Sequence, residues 1–127
     1  MRLSTEIYTP YVAACRDFYV RYFGFRVQQE LTGFAVLRPP ESDAVDLLFC
    51  EPYSEFVQSV FHRPFTGEGV LLQLEVEDVA AEYHRLQQLG APFALTLVEE
   101  PFNGQHFTVR DPAGLLVDVV QAVREVT

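Results

Sequence analysis

Nowhere does this chain run through the roughly 18 consecutive apolar residues that a membrane span requires. The opening residues, MRLSTEIY, alternate polar and apolar side chains, with no basic head leading into an apolar stretch, so no secretory signal is expected. Its two cysteines, Cys15 and Cys50, lie far apart and are expected to be reduced, small hydrophobic side chains in a cytoplasmic protein. Basic residues are scarce: nine against eighteen acidic ones, for a net charge of −9. Such a surface repels phosphate backbones and anionic membranes, which argues against nucleic acid or membrane and for a cationic or neutral small ligand. Tryptophan is absent altogether, which leaves less stacking surface for an aromatic ligand. Phosphate-cradling glycine loops, paired-cysteine metal motifs and nucleotide fingerprints are missing too. What remains is an ordinary globular composition, 49% apolar over 127 residues, long enough to bury a core in one domain.

One pattern is used twice. RLSTEIY reads as a half-buried strand; Thr9 then offers an N-cap, Pro10 a first helical position and Gly24 a left-handed stop for one helix. Extended segments follow around residues 25–29, 34–38 and 44–50. The order returns with GVLLQLEVE, Asp78 as N-cap before VAAEYHRLQQL, Gly90 as the stop, and the runs FALTLV, QHFTVR and LLVDVVQ. The expected fold class is therefore α+β: two βαβββ modules, residues 1–52 and 69–127, joined by an aromatic-rich connector, 53–68. They are expected to build a curled mixed β-sheet with helices on its outer face. Two tandem ferredoxin-like units are the structural alternative.

A side-chain period of two sorts each strand into two faces. One set is nearly all apolar and is the expected core: Leu3, Ile7, Val45, Leu47, Phe49, Val70, Leu72, Leu74, Val76, Leu115, Val117 and Val119. The opposite set is mixed, with Ser4, Glu6 and Tyr8, then Asp46 and Cys50, then Leu71, Gln73 and Glu75, and Asp118 between Val117 and Val119. In the connector, Phe56, Val57, Val60 and Phe61 would share a stripe on a short helix after Ser54. That stripe would cover a sheet edge, close over a cavity or meet a second copy.

The stretches FYVRYFGF, LEVEDVAAEYHRLQQLG and FTVRDPAGLLVDVVQ, in this order and with the internal repeat, resemble the vicinal oxygen chelate superfamily. This is the group of glyoxalases, bleomycin-resistance proteins and extradiol dioxygenases. The resemblance implies a cup-shaped sheet with a ligand on its concave side and a homodimer. Its enzymes hold a divalent metal with a histidine on the first strand of each module and a carboxylate on the last. Those positions fall here on Ser4, Asp46, Leu71 and Asp118, so only the carboxylates persist, and the histidines, His62, His84 and His106, lie elsewhere. Two short carboxylates suit a catalytic metal poorly. No cofactor is expected, with a divalent metal as the alternative.

The leading expectation is a metal-independent small-molecule binding protein that sequesters a cationic or aromatic compound, with Ser4, Glu6, Asp46, Gln73, Phe102, His106 and Asp118 around the ligand. No catalytic residue is assigned. The competing expectation is a lyase, isomerase or dioxygenase using a degenerate metal site or an acid–base carboxylate. A ligand-free scaffold is the third. For Asp46 and Asp118, a pocket floor that attracts cations stands beside a plainer reading in which Arg38 or Arg110 satisfies each of them. His106 could shuttle a proton, or be a surface or structural residue.

Overall fold

The computed structural model describes residues 1–53, 55–102 and 104–123. The chain divides into two compact units, Met1–Thr66 and Gly67–Thr127. In the first, β1 (Leu3–Tyr8) leads into α1 (Val12–Phe23), then β2 (Arg26–Leu31), β3 (Phe34–Arg38) and β4 (Val45–Cys50). In the second, β5 (Leu71–Val76) leads into α2 (Val79–Gln88), then β6 (Phe93–Glu100), β7 (Gly104–Arg110) and β8 (Leu116–Gln121). The expected α+β class and the βαβββ repeat are what form. Each unit is one mixed four-stranded sheet, ordered β1-β4-β3-β2 and β5-β8-β7-β6, in which the first strand pairs parallel with the last. With one α-helix per unit among the described residues, neither is ferredoxin-like. No helix among the described residues is long and apolar enough to cross a membrane.

Both helices end by the same device. Gly24 (φ 67°) and Gly90 (φ 74°) take the left-handed conformation, and the following amides, Phe25 N–H and Ala91 N–H, reach back to the Tyr19 and Leu86 carbonyls. Only glycine adopts this geometry without a Cβ penalty. The starts differ. Asp78 caps α2 by accepting from Ala81 N–H, as the sequence suggests. Thr9, however, is not the N-cap of α1: the helix begins at Val12, and the Thr9 hydroxyl accepts from Tyr11 N–H in a local turn that delays helix entry.

In the first unit Tyr19, fully buried, packs its ring against Phe25 and Phe49 at centroid distances of 5.3 and 5.6 Å. In the second, Tyr83 of α2 meets Phe93 and Phe107 at 5.0 and 5.3 Å over a floor of buried Val109, Val117 and Val119. Three residues expected in the core are exposed: Leu3 (73%), Val45 (42%) and Val70 (48%). Each sits at or before the first residue of its strand, where alternation persists but the helix no longer covers the sheet. The connector helix does not form either; Ser59–Phe61 makes one 3-10 turn. Pro52 and Pro64 bracket the segment, and Tyr53, in the left-handed region at φ 67°, turns the chain out of helical geometry at its start. Ser54 lies outside the described residues.

Phe107→Ala removes the ring that α2 packs on and is expected to cost about 3–5 kcal/mol in urea unfolding. A loss under about 1 kcal/mol would show that the second unit does not depend on this packing.

Candidate functional site

The seven candidate residues divide between the units. Ser4, Glu6 and Asp46 belong to the first, Gln73, Phe102, His106 and Asp118 to the second.

In the second unit the turn after β7 sets the geometry. The Asp111 carboxylate accepts from Ala113 and Leu115 N–H, both at 2.9 Å, which folds DPAG into a compact reversal. The reversal fixes the β7–β8 register, with Thr108 opposite Asp118 and His106 opposite Val120. His106, Thr108 and Asp118 therefore share the face opposite Phe107, Val117 and Val119. Asp118 Oδ1 accepts from Thr108 Oγ1 at 3.1 Å and from His106 Nδ1 at 2.7 Å. The far nitrogen, His106 Nε2, lies 2.8 Å from Glu100 Oε1 at the end of β6.

This is a chain of carboxylate, imidazole and carboxylate. His106 and Asp118 are 6% and 7% exposed, whereas the Glu100 side chain is 44% exposed. A carboxylate against each ring nitrogen favours the protonated ring, the one form in which both nitrogens donate. The bond to Asp118 raises the His106 pKa most; burial opposes the shift and Glu100 adds to it. Glu100 and Thr108 were not singled out in the sequence. Thr108 is recoverable from the turn register, but Glu100 is not, because β6 slips twice against β7.

In the first unit Asp46 is paired differently. Arg38 Nε donates to its Oδ1 at 2.7 Å and Arg2 Nη2 lies 3.1 Å from its Oδ2. The Arg38 hydrogen bond is the main cause holding the Asp46 carboxyl below its usual pKa. Arg38 is the donor expected from the sequence. Arg110 is not the partner of Asp118: it donates to the Gly114 carbonyl instead. Ser4 and Gln73 stand in register with Asp46 and Asp118, and Glu6 with Leu48, all three exposed on their strands. Phe102, 99% exposed in the β6–β7 turn, is not packed against the sheet. A pocket of about 240 Å³ lies elsewhere in the first unit, lined by α1 residues Val12, Ala13 and Arg16 and by Glu30, Leu31 and Glu51.

The repeat, the sheet order and the paired carboxylates on the last strands now stand together. A family model described as the Glyoxalase/Bleomycin resistance protein/Dioxygenase superfamily matches residues 3–119. The chain belongs to that superfamily. No curated protein matches it in sequence. Among solved structures, the chain is similar to a lactoylglutathione lyase from Agrobacterium tumefaciens (TM-score 0.74, 22% identity, 96% of this chain and 93% of that one covered). It is also similar to TnmS3, an antibiotic binding protein from Streptomyces sp. CB03234 (TM-score 0.72, 20% identity, 97% and 96% covered). A superfamily protein from Nocardioides gives TM-score 0.76 at 19% identity, covering 100% of this chain and 86% of that one. Likeness at these identities concerns the fold.

The superfamily's enzymes carry a divalent metal, and the residues here do not fit one. Both Asp46 oxygens face guanidinium groups, Asp118 Oδ1 already accepts two hydrogen bonds, and Leu71 offers no donor atom. Among the described residues, no three His, Cys, Asp or Glu side chains are placed to hold a metal ion.

His106→Gln leaves Asp118 buried without its cation and is expected to cost about 3 kcal/mol. The pH profile has a definite sign. Because the folded pKa lies above the ordinary 6.5, the protonated ring stabilises fully below that value, and the contribution is lost as pH rises through the raised folded pKa. Thermal melts between about pH 5.5 and about pH 9 should fall on the alkaline side and flatten in His106→Gln. Equal slopes in parent and variant would place the titrating proton elsewhere.

Proposed function

We propose that this protein is a metal-independent small-molecule binding protein of the glyoxalase and bleomycin-resistance type, sequestering a cationic or aromatic compound in the cytoplasm as a homodimer. The candidate ligand-facing residues are Ser4, Glu6 and Asp46 on the sheet of one unit and, taken separately, Gln73, His106 and Asp118 with the turn residue Phe102 in the other. One observation carries this reading. The carboxylates at the superfamily's metal positions are occupied by the protein's own donors, Arg2 and Arg38 on Asp46 and His106 and Thr108 on Asp118. The remaining two positions are Ser4 and Leu71. The net charge of −9 favours cationic ligands over anionic ones.

A second reading, a lyase, isomerase or oxygenase using acid–base chemistry, is favoured by the titratable His106 ring, which is linked through half-exposed Glu100 to the surface. The two readings part on the fate of the compound. A binder returns it unchanged, whereas an enzyme converts it and loses turnover in Asp118→Asn.

The deciding test is a thermal melt of chelator-treated protein titrated with Ni²⁺, Mn²⁺, Fe²⁺, Zn²⁺ and Mg²⁺. A metal site saturated at ~100 times its dissociation constant adds about 2.7 kcal/mol, which moves the midpoint of a domain this size by several degrees. The expected shift is less than about 1 °C for every ion. A metal-selective rise that disappears in both Asp46→Asn and Asp118→Asn would overturn the metal-independent reading.

A further inference from the structure

The face of the first sheet opposite α1 holds two carboxylates in contrasting states. At one end Asp46 is neutralised by Arg2 and Arg38. Further along β1, Glu6 is exposed, and among the described residues no cation pairs with it. Its neighbour on the same face is Tyr8, whose phenol proton is held more tightly because of burial first and the nearby Glu6 carboxylate second.

The Tyr8 ring is stacked on Phe61, nearly parallel at 7° with centroids 5.8 Å apart. The backbone fixes the pair, since Phe65 N–H donates to the Tyr8 carbonyl at 2.8 Å and draws the connector onto the end of β1. Phe61 nevertheless stays 49% exposed. The 3-10 turn thus adds a second flat ring to Tyr8, whose neighbour on the strand face is the carboxylate of Glu6. Ring faces carry negative electrostatic potential, so they and Glu6 act in the same sense on a cation. A neutral ring would gain the stacking alone.

We propose that Glu6, Tyr8 and Phe61 form a subsite for a planar aromatic cation, the ring lying against Phe61 and the positive charge facing Glu6. This rests on the small-molecule binding reading above and narrows its cationic or aromatic compound to one that is both planar aromatic and positively charged. It also shifts the charge recognition away from the two aspartates, whose charge the protein already neutralises, to a glutamate that has no cation of its own.

The probe is proflavine, a planar aromatic cation, titrated with the full chain and followed by fluorescence anisotropy; neutral acridone serves as the isosteric comparison. Glu6→Gln and Phe61→Ala should each weaken proflavine binding about tenfold, and acridone should bind the parent about tenfold more weakly than proflavine. Glu41→Gln, which removes an equal charge from an exposed loop of the same unit, should change affinity less than about twofold. Both test positions are substantially exposed, and matching melting midpoints confirm that the variants fold. Saturable binding indifferent to Glu6→Gln and Phe61→Ala but weakened by Asp118→Asn would overturn the subsite and leave the binding reading standing. No saturable binding by the parent would overturn the subsite, while the metal titration judges the wider reading independently.

Discussion

A carboxylate set in a run of valines persists as an anion only if its neighbours on the sheet donate to it, because an unpaired buried charge is among the costliest defects a fold can carry. Asp118 meets that condition entirely within β7, through Thr108 beside it and His106 one step further along. The condition reaches outward. It requires the DPAG reversal, whose Asp111 fixes the register, and it requires a donor on His106 Nδ1, while Glu100 on the far nitrogen favours the protonated ring. The apolar face of the same strands packs under α2, so the polar chain and the hydrophobic core are opposite sides of one register.

The two units solve the same problem with different chemistry. On β4 an arginine pair holds the equivalent carboxylate, and guanidinium groups stay charged at any working pH. On β8 the partner is an imidazole, whose charge depends on its surroundings. A duplicated architecture therefore carries one carboxylate whose cationic partners are permanent and one whose partner is titratable. Sheet order and parallel pairing repeat faithfully, while the residues that satisfy the buried charge do not.

Much of this was legible in the sequence where a local rule decides the outcome. Gly24 and Gly90 mark helix ends because only glycine enters the left-handed region freely, and Asp78 marks a start because its side chain is short enough to cap. Alternation placed Asp46 and Asp118 opposite the core residues. Arg38 was foreseeable as a donor because it lies directly across the β3–β4 reversal from Asp46. Legibility ended where distant segments meet. Arg2 reaches Asp46 through a parallel pairing, and Glu100 reaches His106 across a strand with two register slips, neither of which short-range pattern encodes. The same limit explains Leu3, Val45 and Val70: alternation says which face a residue takes, but not where the covering helix stops.

The two cysteines have a use that follows from where they are buried. Cys15 lies on the inner side of α1 and Cys50 at the end of β4, both in the first unit. Cys15 is fully buried, so its alkylation by a small reagent proceeds only through transient openings, whereas Cys50 keeps 9% of its surface exposed and serves as the reactive reference. Thiol-modification kinetics therefore form a clock that runs on the first unit alone. Set against amide exchange of the buried β7 and β8 residues, that clock measures whether the two halves open together or separately.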